Sequence, residues 1–218
     1  MENTFPGLGE PHKSQVALGA WSKHRAHLRR RFASFLTSVG ILLLLYVFIQ
    51  YAQMYVVQRA LASEWRQQNA RPANALNDAG NASGALTRLT IARIKLDAVI
   101  VEGTSQKSLK LGPGHMQNSA VPGSSGNVVI VAHRDTFFRH LDELKLGDEI
   151  DLRRRGEMFR FAVTRRHVVE PTDLSALQKS PAAQLTLITC YPNHYVGPAP
   201  RRLVVVARRI ATLKTAGE

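Results

Sequence analysis

Two hydrophobic patterns divide the chain: one long apolar segment near its start, and short β-branched runs through its second half. No charged residue occurs from Phe32 to Gln58. A segment of this length and apolarity can cross a bilayer as a helix of ~20 residues. We therefore predict one N-terminal transmembrane helix, over residues 32–58.

The segment after the predicted span, residues 59–85, is rich in Ala, Asn, Gln and Gly and has few large apolar side chains. Such a composition buries too little surface to offset the entropy lost on ordering. We interpret residues 59–85 as a polar tether that can begin as a helix.

Short runs of Val, Ile, Leu and Thr, separated by Gly and Pro, begin at Leu86. The runs are LTRLTIARIKLDAVIVEG, NVVIVAHR, DEIDLRRR, MFRFAVTRRHVVE, AQLTLITC and RRLVVVARRI. Runs of this kind are typical of strands, and several at close spacing indicate a closed barrel. SLKLGPGHM and FFRHLDEL are candidates for single helical turns. The predicted fold of residues 86–218 is mainly β, a closed β-barrel with short helices.

The distribution of charge predicts the orientation in the membrane. Several basic residues precede the span: Lys23, Arg25, Arg29, Arg30 and Arg31. By the positive-inside rule, residues 1–31 stay cytoplasmic, and the predicted barrel lies outside the bacterial cytoplasmic membrane as a single-pass domain. The alternative is a cleaved signal peptide with Ala60-Leu61-Ala62 as its cleavage site. It is less favoured, because the apolar run is long and Gln58 and Arg59 crowd that site.

The net charge of +13 suits a partner that is nucleic acid, an anionic membrane surface or an acidic envelope polymer. Aromatic residues are not interleaved with the basic clusters, which counts against single-strand nucleic-acid recognition. We therefore predict no nucleic-acid partner. A non-enzymatic basic module that binds the envelope remains an alternative.

Cys190 is the only cysteine in the chain, so it cannot form an internal disulfide. It ends the predicted strand 184–190, and Pro192 follows at once. Because proline cannot donate to a sheet ladder, the strand should stop there with the thiol at a barrel rim. The two interpretations are a small buried hydrophobic residue and a reactive thiol.

His133 ends another β-branched run in the same way as Cys190. A thiol needs a base or an ion-pair partner to become a nucleophile near neutral pH, and imidazole commonly fills that role. His194, four residues after the cysteine, is an alternative partner. Arg201 and Arg202 begin the last run, and either guanidinium could stabilise an oxyanion beside a thiolate.

Three of these motifs resemble the sortases, a family of membrane-anchored cysteine transpeptidases. LTLITC resembles the sortase TLxTC signature, and VVIVAHRDTFFRHL resembles the segment that carries the family's catalytic histidine. The tail CYPNHYVGPAPRRLVV resembles the class D sortases, in which a similar run leads to the catalytic arginine. Ala132 replaces a common glycine, and Asn193-His194 replaces aromatic positions.

The resemblance implies a sortase barrel with Cys190, His133 and Arg202 as catalytic residues. It implies attack by Cys190 on an LPxT-like C-terminal sorting signal of a secreted protein, followed by transfer of the thioacyl group to an amine acceptor of the cell envelope. Thr189 and Asp135 are expected beside the substrate cleft. We expect no cofactor and no metal. A tethered thiol peptidase that only hydrolyses its substrate would use the same residues.

Overall fold

The computed structural model describes residues 15–70, 85–195 and 197–214 and divides the chain into two compact units, 1–51 and 52–218. The first described element is helix α1, Gln15–Ala70. Its part from Arg29 onward is long and apolar enough to cross a membrane, in agreement with the predicted span. Residues 1–14 of the predicted cytoplasmic segment and 71–84 of the predicted tether lie outside the described residues.

Among its described residues, the second unit contains the end of α1, eight strands and one further short helix. The strands are β1 (Thr87–Ile91), β2 (Leu96–Glu102), β3 (Gly114–His115), β4 (Asn127–Val131), β5 (Glu149–Arg154), β6 (Glu157–Val169), β7 (Gln184–Tyr191) and β8 (Arg201–Lys214). Helix α2 is Gln106–Leu111, and 3-10 turns occupy Ala92–Ile94, Leu141–Glu143 and Ser175–Leu177. The strands close in the order β1-β2-β3-β4-β7-β8-β6-β5, so the predicted mainly β barrel is confirmed.

Most neighbouring strands are antiparallel, but β4 and β7 are parallel, as are β2 and β3. Parallel neighbours need a crossover, and here β5 and β6 lie in the chain between β4 and β7. The crossover brings the ends of β4 and β7 to the same edge of the barrel. His133 follows β4 and Cys190 lies near the end of β7, so both residues are at this edge.

Alternation along β7 assigns its side chains to two faces. Leu185 and Leu187 are fully buried in the barrel core with Leu203 and Val205 of β8. The intervening residues face outward, where Ile188 packs in a second, small cluster that comprises Ala176, Val204 and Val206 with Val169. Because side chains alternate between faces, Cys190 shares the outer face with Ile188.

The end of α1 packs against the barrel within the second unit. β3 pairs only with Val101 and Glu102 of β2, which leaves Val99 without a strand partner on that side. The Gln58 amide fills this place: its Oε1 accepts from Val99 N at 2.9 Å, and its Nε2 donates to Val99 O at 3.1 Å and to Leu111 O at 2.8 Å. A Cβ on Gly112 would lie 2.6 Å from Gln58 Nε2, so a larger residue there would displace the Gln58 amide.

Trp65 and Asn69 extend this contact along the same helical face, at spacings of seven and eleven from Gln58. The Trp65 ring is buried, and its Nε1 donates to Arg153 O at 3.3 Å. Asn69 Oδ1 accepts from Gly156 N at 2.8 Å. The described part of the expected tether, residues 59–70, is therefore a packed helix end. Two amides and one indole make this contact, which is why a count of apolar residues did not indicate it.

Candidate active site

The side chain of Cys190 lies on the outer face of the barrel at the end of β7 and is half-buried. Its neighbours in sequence, Thr189 and Tyr191, face the opposite side of the sheet. Pro192 follows β7, so the ladder ends there, as the sequence predicts. A thiol in this place is accessible without belonging to the core.

Arg202 is the direct cross-strand partner of Cys190 in the antiparallel β7–β8 ladder. Directly opposed residues share a face, with Cβ atoms about 5 Å apart. Arg201 instead pairs with Tyr191, and its Nε lies 3.5 Å from a Glu170 carboxylate oxygen. Of the two arginines, only Arg202 is opposite the cysteine.

His133 follows β4, and the parallel β4–β7 register aligns Val131 with Ile188. The ladder continues one bond further, from Ala132 N to Ile188 O at 3.2 Å. Extending the register by two residues brings His133 level with Cys190. The alternative partner, His194, is exposed in the connection after β7 rather than on the neighbouring strand.

The pairings place one row of residues across four strands on the outer face. His133 follows β4, Cys190 is on β7, Arg202 is on β8, and Val169 of β6 is the cross-strand partner of Arg202. The next row on the same outer face, one step further from the barrel edge, contains Ile188 and Val204. The arrangement places an imidazole, a thiol and a guanidinium beside an apolar surface.

The connection between β6 and β7, residues 170–183, borders this apolar surface. Its 3-10 turn contributes Ala176 to the small outer cluster, while Leu174 is 65% exposed. Asn127 fixes the connection, because its Nδ2 donates to Ala176 O and Gln178 O, both at 3.0 Å. Thr186, fully buried, donates its hydroxyl to Asn127 Oδ1 at 2.7 Å. Polar groups on β4 and β7 thus set the position of the β6–β7 connection, residues 170–183, which forms a wall beside the site.

Titratable groups near this wall have shifted pKa values. Burial lowers the pKa of His167, Arg165 lowers it further, and Asp173 opposes both. The Ser175 backbone amide, at 2.8 Å, lowers the pKa of Asp173 by hydrogen bonding to its carboxylate. His167 is the cross-strand partner of Val204, so its ring is on the outer face one row from Arg202.

The two remaining predicted site residues differ in position. Thr189 is 1% exposed, and its hydroxyl donates to Ala132 O at 2.8 Å. It therefore ties the strand that carries Cys190 to the residue before His133. Asp135 is exposed, two residues beyond His133. Within residues 15–70, 85–195 and 197–214, no group of three or more His, Cys, Asp or Glu side chains is placed to hold a metal ion.

Asn127 and Thr186 were not predicted from the sequence. Each lies in a strand and faces outward, where a polar residue is expected to contact solvent. Only the position of the β6–β7 connection shows that these two are covered. The available signal was one polar residue in each of two largely apolar runs, Asn127 as the first residue of NVVIV and Thr186 as the third of QLTLI. Buried polar side chains are hydrogen-bonded, so such a pair indicates a backbone segment packed over it.

An eight-stranded barrel with a cysteine, a histidine and an arginine at one edge of its outer face defines a candidate thiol enzyme. A family model described as Sortase domain matches residues 89–210. Sortase D of Bacillus subtilis (strain 168) is 36% identical over 134 residues, which are 61% of this chain and 66% of that protein. The chain belongs to the sortase family.

Solved structures agree with the fold. That of a Clostridium perfringens sortase D5 transpeptidase has a TM-score of 0.63 at 24% identity and covers 72% of this chain and 99% of that chain. At this identity the likeness concerns the fold alone. Sortase A from Corynebacterium diphtheriae has a TM-score of 0.54 at 27% identity and covers 75% of this chain and 93% of that one.

Proposed function

We propose that this chain is a cysteine transpeptidase that cleaves an LPxT-like C-terminal sorting signal and transfers the protein to an amine. The observation that carries the proposal is the row on the outer face, in which Arg202 is the cross-strand partner of Cys190 and the register brings His133 level with both. Membership of the sortase family supports the same chemistry.

In the first step, the Cys190 thiolate attacks the carbonyl carbon of the scissile peptide bond. Negative charge moves to the carbonyl oxygen, and the Arg202 guanidinium stabilises it. The tetrahedral intermediate collapses as the C–N bond breaks, and His133, as imidazolium, gives its proton to the leaving amine. The products are a thioacyl-enzyme and the released tail of the signal.

In the second step, an amine attacks the thioacyl carbon. His133, now neutral, takes a proton from the amine, and the Cys190 thiolate leaves as the new amide forms. The enzyme returns to its starting protonation state, so no oxidant, reductant or further reactant is consumed.

Thr189 and Asp135 have supporting roles in this proposal. Thr189 acts through Ala132, whose carbonyl accepts its hydroxyl, and so sets the backbone that leads to His133. Asp135 is exposed on the His133 side of the site, where its carboxylate would meet a polar group of the incoming substrate or acceptor.

The substrate is a secreted protein with a C-terminal sorting signal, and the acceptor is an amine of a cell-wall precursor or of another protein. The enzyme is anchored in the bacterial cytoplasmic membrane by α1, with its N-terminus inside and the barrel outside. The helix that is long and apolar enough to span a membrane supports the anchoring, and the basic residues before it support the orientation.

Single-turnover acylation of the full-length chain in detergent tests the chemistry. The chain is mixed with an LPxT-containing peptide, and intact mass spectrometry follows the adduct. We expect a thioacyl adduct that Cys190→Ala abolishes while the melting temperature stays nearly unchanged, because a rim thiol leaves little cavity. Acylation of Cys190→Ala would contradict the proposal.

Adding an amine separates transfer from hydrolysis. With a glycine-based amine present, a transpeptidase yields the amide product at the expense of the free acid. Free acid alone, at every concentration of several amines, would show a thiol peptidase. The envelope-binding alternative predicts a different result. The wild-type chain would form no adduct, and Cys190→Ala would bind an anionic polymer as well as wild type does.

Protease treatment of spheroplasts tests the topology. Added protease should digest residues 86–218 and spare the N-terminal thirty residues. A protected barrel would reverse the orientation, and a mature chain that starts near Ser63 would indicate a cleaved signal peptide.

A further inference from the structure

Arg134, the residue after His133, connects the two segments that carry the proposed catalytic groups. Its Nη1 donates to Pro192 O at 2.9 Å, and its Nη2 donates to Tyr195 O and Gly197 O, both at 2.8 Å. One guanidinium thus binds three carbonyls of the connection between β7 and β8, residues 192–200. Charge-assisted hydrogen bonds of this length are among the stronger ones in proteins.

The ring of Tyr195 adds a further contact, since the guanidinium carbon lies 5.9 Å from its centroid. Tyr195 is itself 47% exposed, so its side chain is not held by a core. Among the described residues, Arg134 thus binds the backbone on both sides of the middle of the connection, at Tyr195 and at Gly197. A planar fork with donors in fixed directions suits several carbonyls, whereas an ammonium is a compact point charge.

The side chain of Asn193 holds the start of the same connection. Asn193 Nδ2 donates to Arg139 O at 2.8 Å and also to a carboxylate oxygen of Asp142. Both partners belong to the segment that follows His133. The connection is thus attached at two points to the His133 side of the site.

This connection leads directly into β8, which begins at Arg201, one residue before Arg202. Residues 192–200 join Cys190 on β7 to Arg202 on β8, and the Arg202 Nη1 itself donates to Ala199 O at 3.3 Å. A shift of the connection would move the guanidinium that faces the thiol. Misplacement of a catalytic group by about 1 Å can cost about 100-fold in rate.

We propose that Arg134 is a positioning residue, which holds the 192–200 connection and thereby sets Arg202 and the substrate cleft relative to His133. The inference rests on the proposed function for its kinetic consequence, but the attachment of the connection is a separate, directly measurable property. Arg134 acts through the loop and does not itself touch the reacting atoms.

Arg209 offers a matched control on the same strand as Arg202. Its Nη1 donates to a backbone carbonyl, Gly123 O, at 3.0 Å, and its guanidinium lies 6.0 Å from the Phe159 ring. It thus has the same kinds of contact as Arg134, seven residues from Arg202. Arg134→Gln and Arg209→Gln remove equal charge, with three side-chain hydrogen bonds to carbonyls lost in the first variant and one in the second.

The experiment compares full-length wild type, Arg134→Gln, Arg134→Lys and Arg209→Gln. We expect Arg134→Gln to lower the acylation rate at saturating LPxT peptide by at least ~10-fold, and Arg134→Lys to recover only part of it, because an ammonium lacks the fork. Arg209→Gln should stay within about twofold of wild type. Equal rates for Arg134→Gln and wild type would overturn the inference.

Alkylation of Cys190 by iodoacetamide distinguishes positioning from an effect on the thiol. A small alkylating agent needs no oxyanion site, so its rate should change less than about twofold in Arg134→Gln. A loss as large as that in acylation would show that Arg134 acts on the thiol itself and would contradict the proposal.

Limited chymotrypsin cleavage after Tyr195 reports on the connection without any activity. Cleavage should be several-fold faster in Arg134→Gln than in Arg209→Gln at temperatures where both are folded, because loop opening controls cleavage. If Arg134→Gln is cleaved faster but wild type forms no thioacyl adduct, Arg134 holds the connection and only the proposed function is wrong. Unchanged cleavage would overturn the attachment itself.

Discussion

Cys190 and Arg202 are cross-strand partners, whereas Arg201, one residue earlier, pairs with Tyr191 and reaches Glu170. Arg202→Ala should therefore lower single-turnover acylation by at least ~100-fold, the scale for loss of an oxyanion donor. Arg201→Ala should change it by less than about threefold, because it removes an exposed ion pair. The reverse order of effects would show that the register has been misread.

A second prediction concerns the hydroxyl of Thr189. Thr189→Val keeps the shape of the side chain but leaves Ala132 O without its donor, which should cost about 1–3 kcal/mol of stability. Since Ala132 precedes His133, acylation should slow as well. Thr189→Ser retains the hydroxyl and serves as the control in both chemical denaturation and acylation. Equal stability and equal acylation rates for Thr189→Val and Thr189→Ser would show that the hydroxyl has no role and that Thr189 contributes only packing.

A third prediction concerns the wall beside the site. Asn127→Ala removes the donors to Ala176 O and Gln178 O and should destabilise the barrel by roughly 2 kcal/mol. It should also accelerate chymotrypsin cleavage near Leu174, which is already exposed. Asn118→Ala, at an exposed position, is the control. A wall that resists cleavage equally in both variants would contradict this role.

The pH dependence of stability forms a fourth prediction. Because burial and Arg165 lower the pKa of His167 in the folded state, the unfolded chain binds its proton first as pH falls. Stability should thus be lost as pH drops below about 6.5, the unfolded value, until the folded pKa is passed. His167→Gln lacks this loss. The unfolding free energy of wild type minus that of His167→Gln should therefore decrease as the pH is lowered from 8 to 5. A difference that stays constant over this range would contradict the lowered pKa.

A fifth prediction concerns the helix end on the barrel. Trp65→Ala should lower the unfolding free energy of the full-length chain by on the order of 3 kcal/mol, since a buried indole and its bond to Arg153 O are lost. Arg66→Ala, exposed on the same helix, should be nearly neutral. Thermal melts by near-ultraviolet circular dichroism report both; matching melts would show that Trp65 adds nothing.

Periodicity and strand-end chemistry were enough to predict the barrel and its rim. Seven of the eight strands coincide with β-branched runs, because alternation and turn residues are local signals. β3 was not predicted, since a two-residue strand has no period. The sequence placed Cys190 and His133 at strand ends, but which strands are neighbours depends on non-local pairing.

The choice between Arg201 and Arg202 depends on strand pairing, which local sequence patterns do not predict. Both begin the same run, so the composition of the run does not separate them. The resemblance to the sortases favoured Arg202, and the β7–β8 register assigns Arg202 to the face of the thiol. Arg134 was equally hidden, because its partners are backbone carbonyls that leave no trace in side-chain identity. For the same reason, Gln58 was assigned to the end of the predicted span and Asn69 to the tether.

The parallel pairing of β4 with β7 has a consequence for how the chain becomes active. Thr189 and Ala132 are 57 residues apart in sequence, and β5 and β6 must be accommodated before their strands can pair. Contacts of such separation form slowly, because the loop entropy is lost before the contacts can compensate for it. The β7–β8 hairpin, by contrast, forms from adjacent segments and already opposes Cys190 to Arg202. Under the proposed function, the thiol of Cys190 and the guanidinium of Arg202 are therefore opposed before His133 reaches them, and the catalytic arrangement is complete only when the barrel has closed.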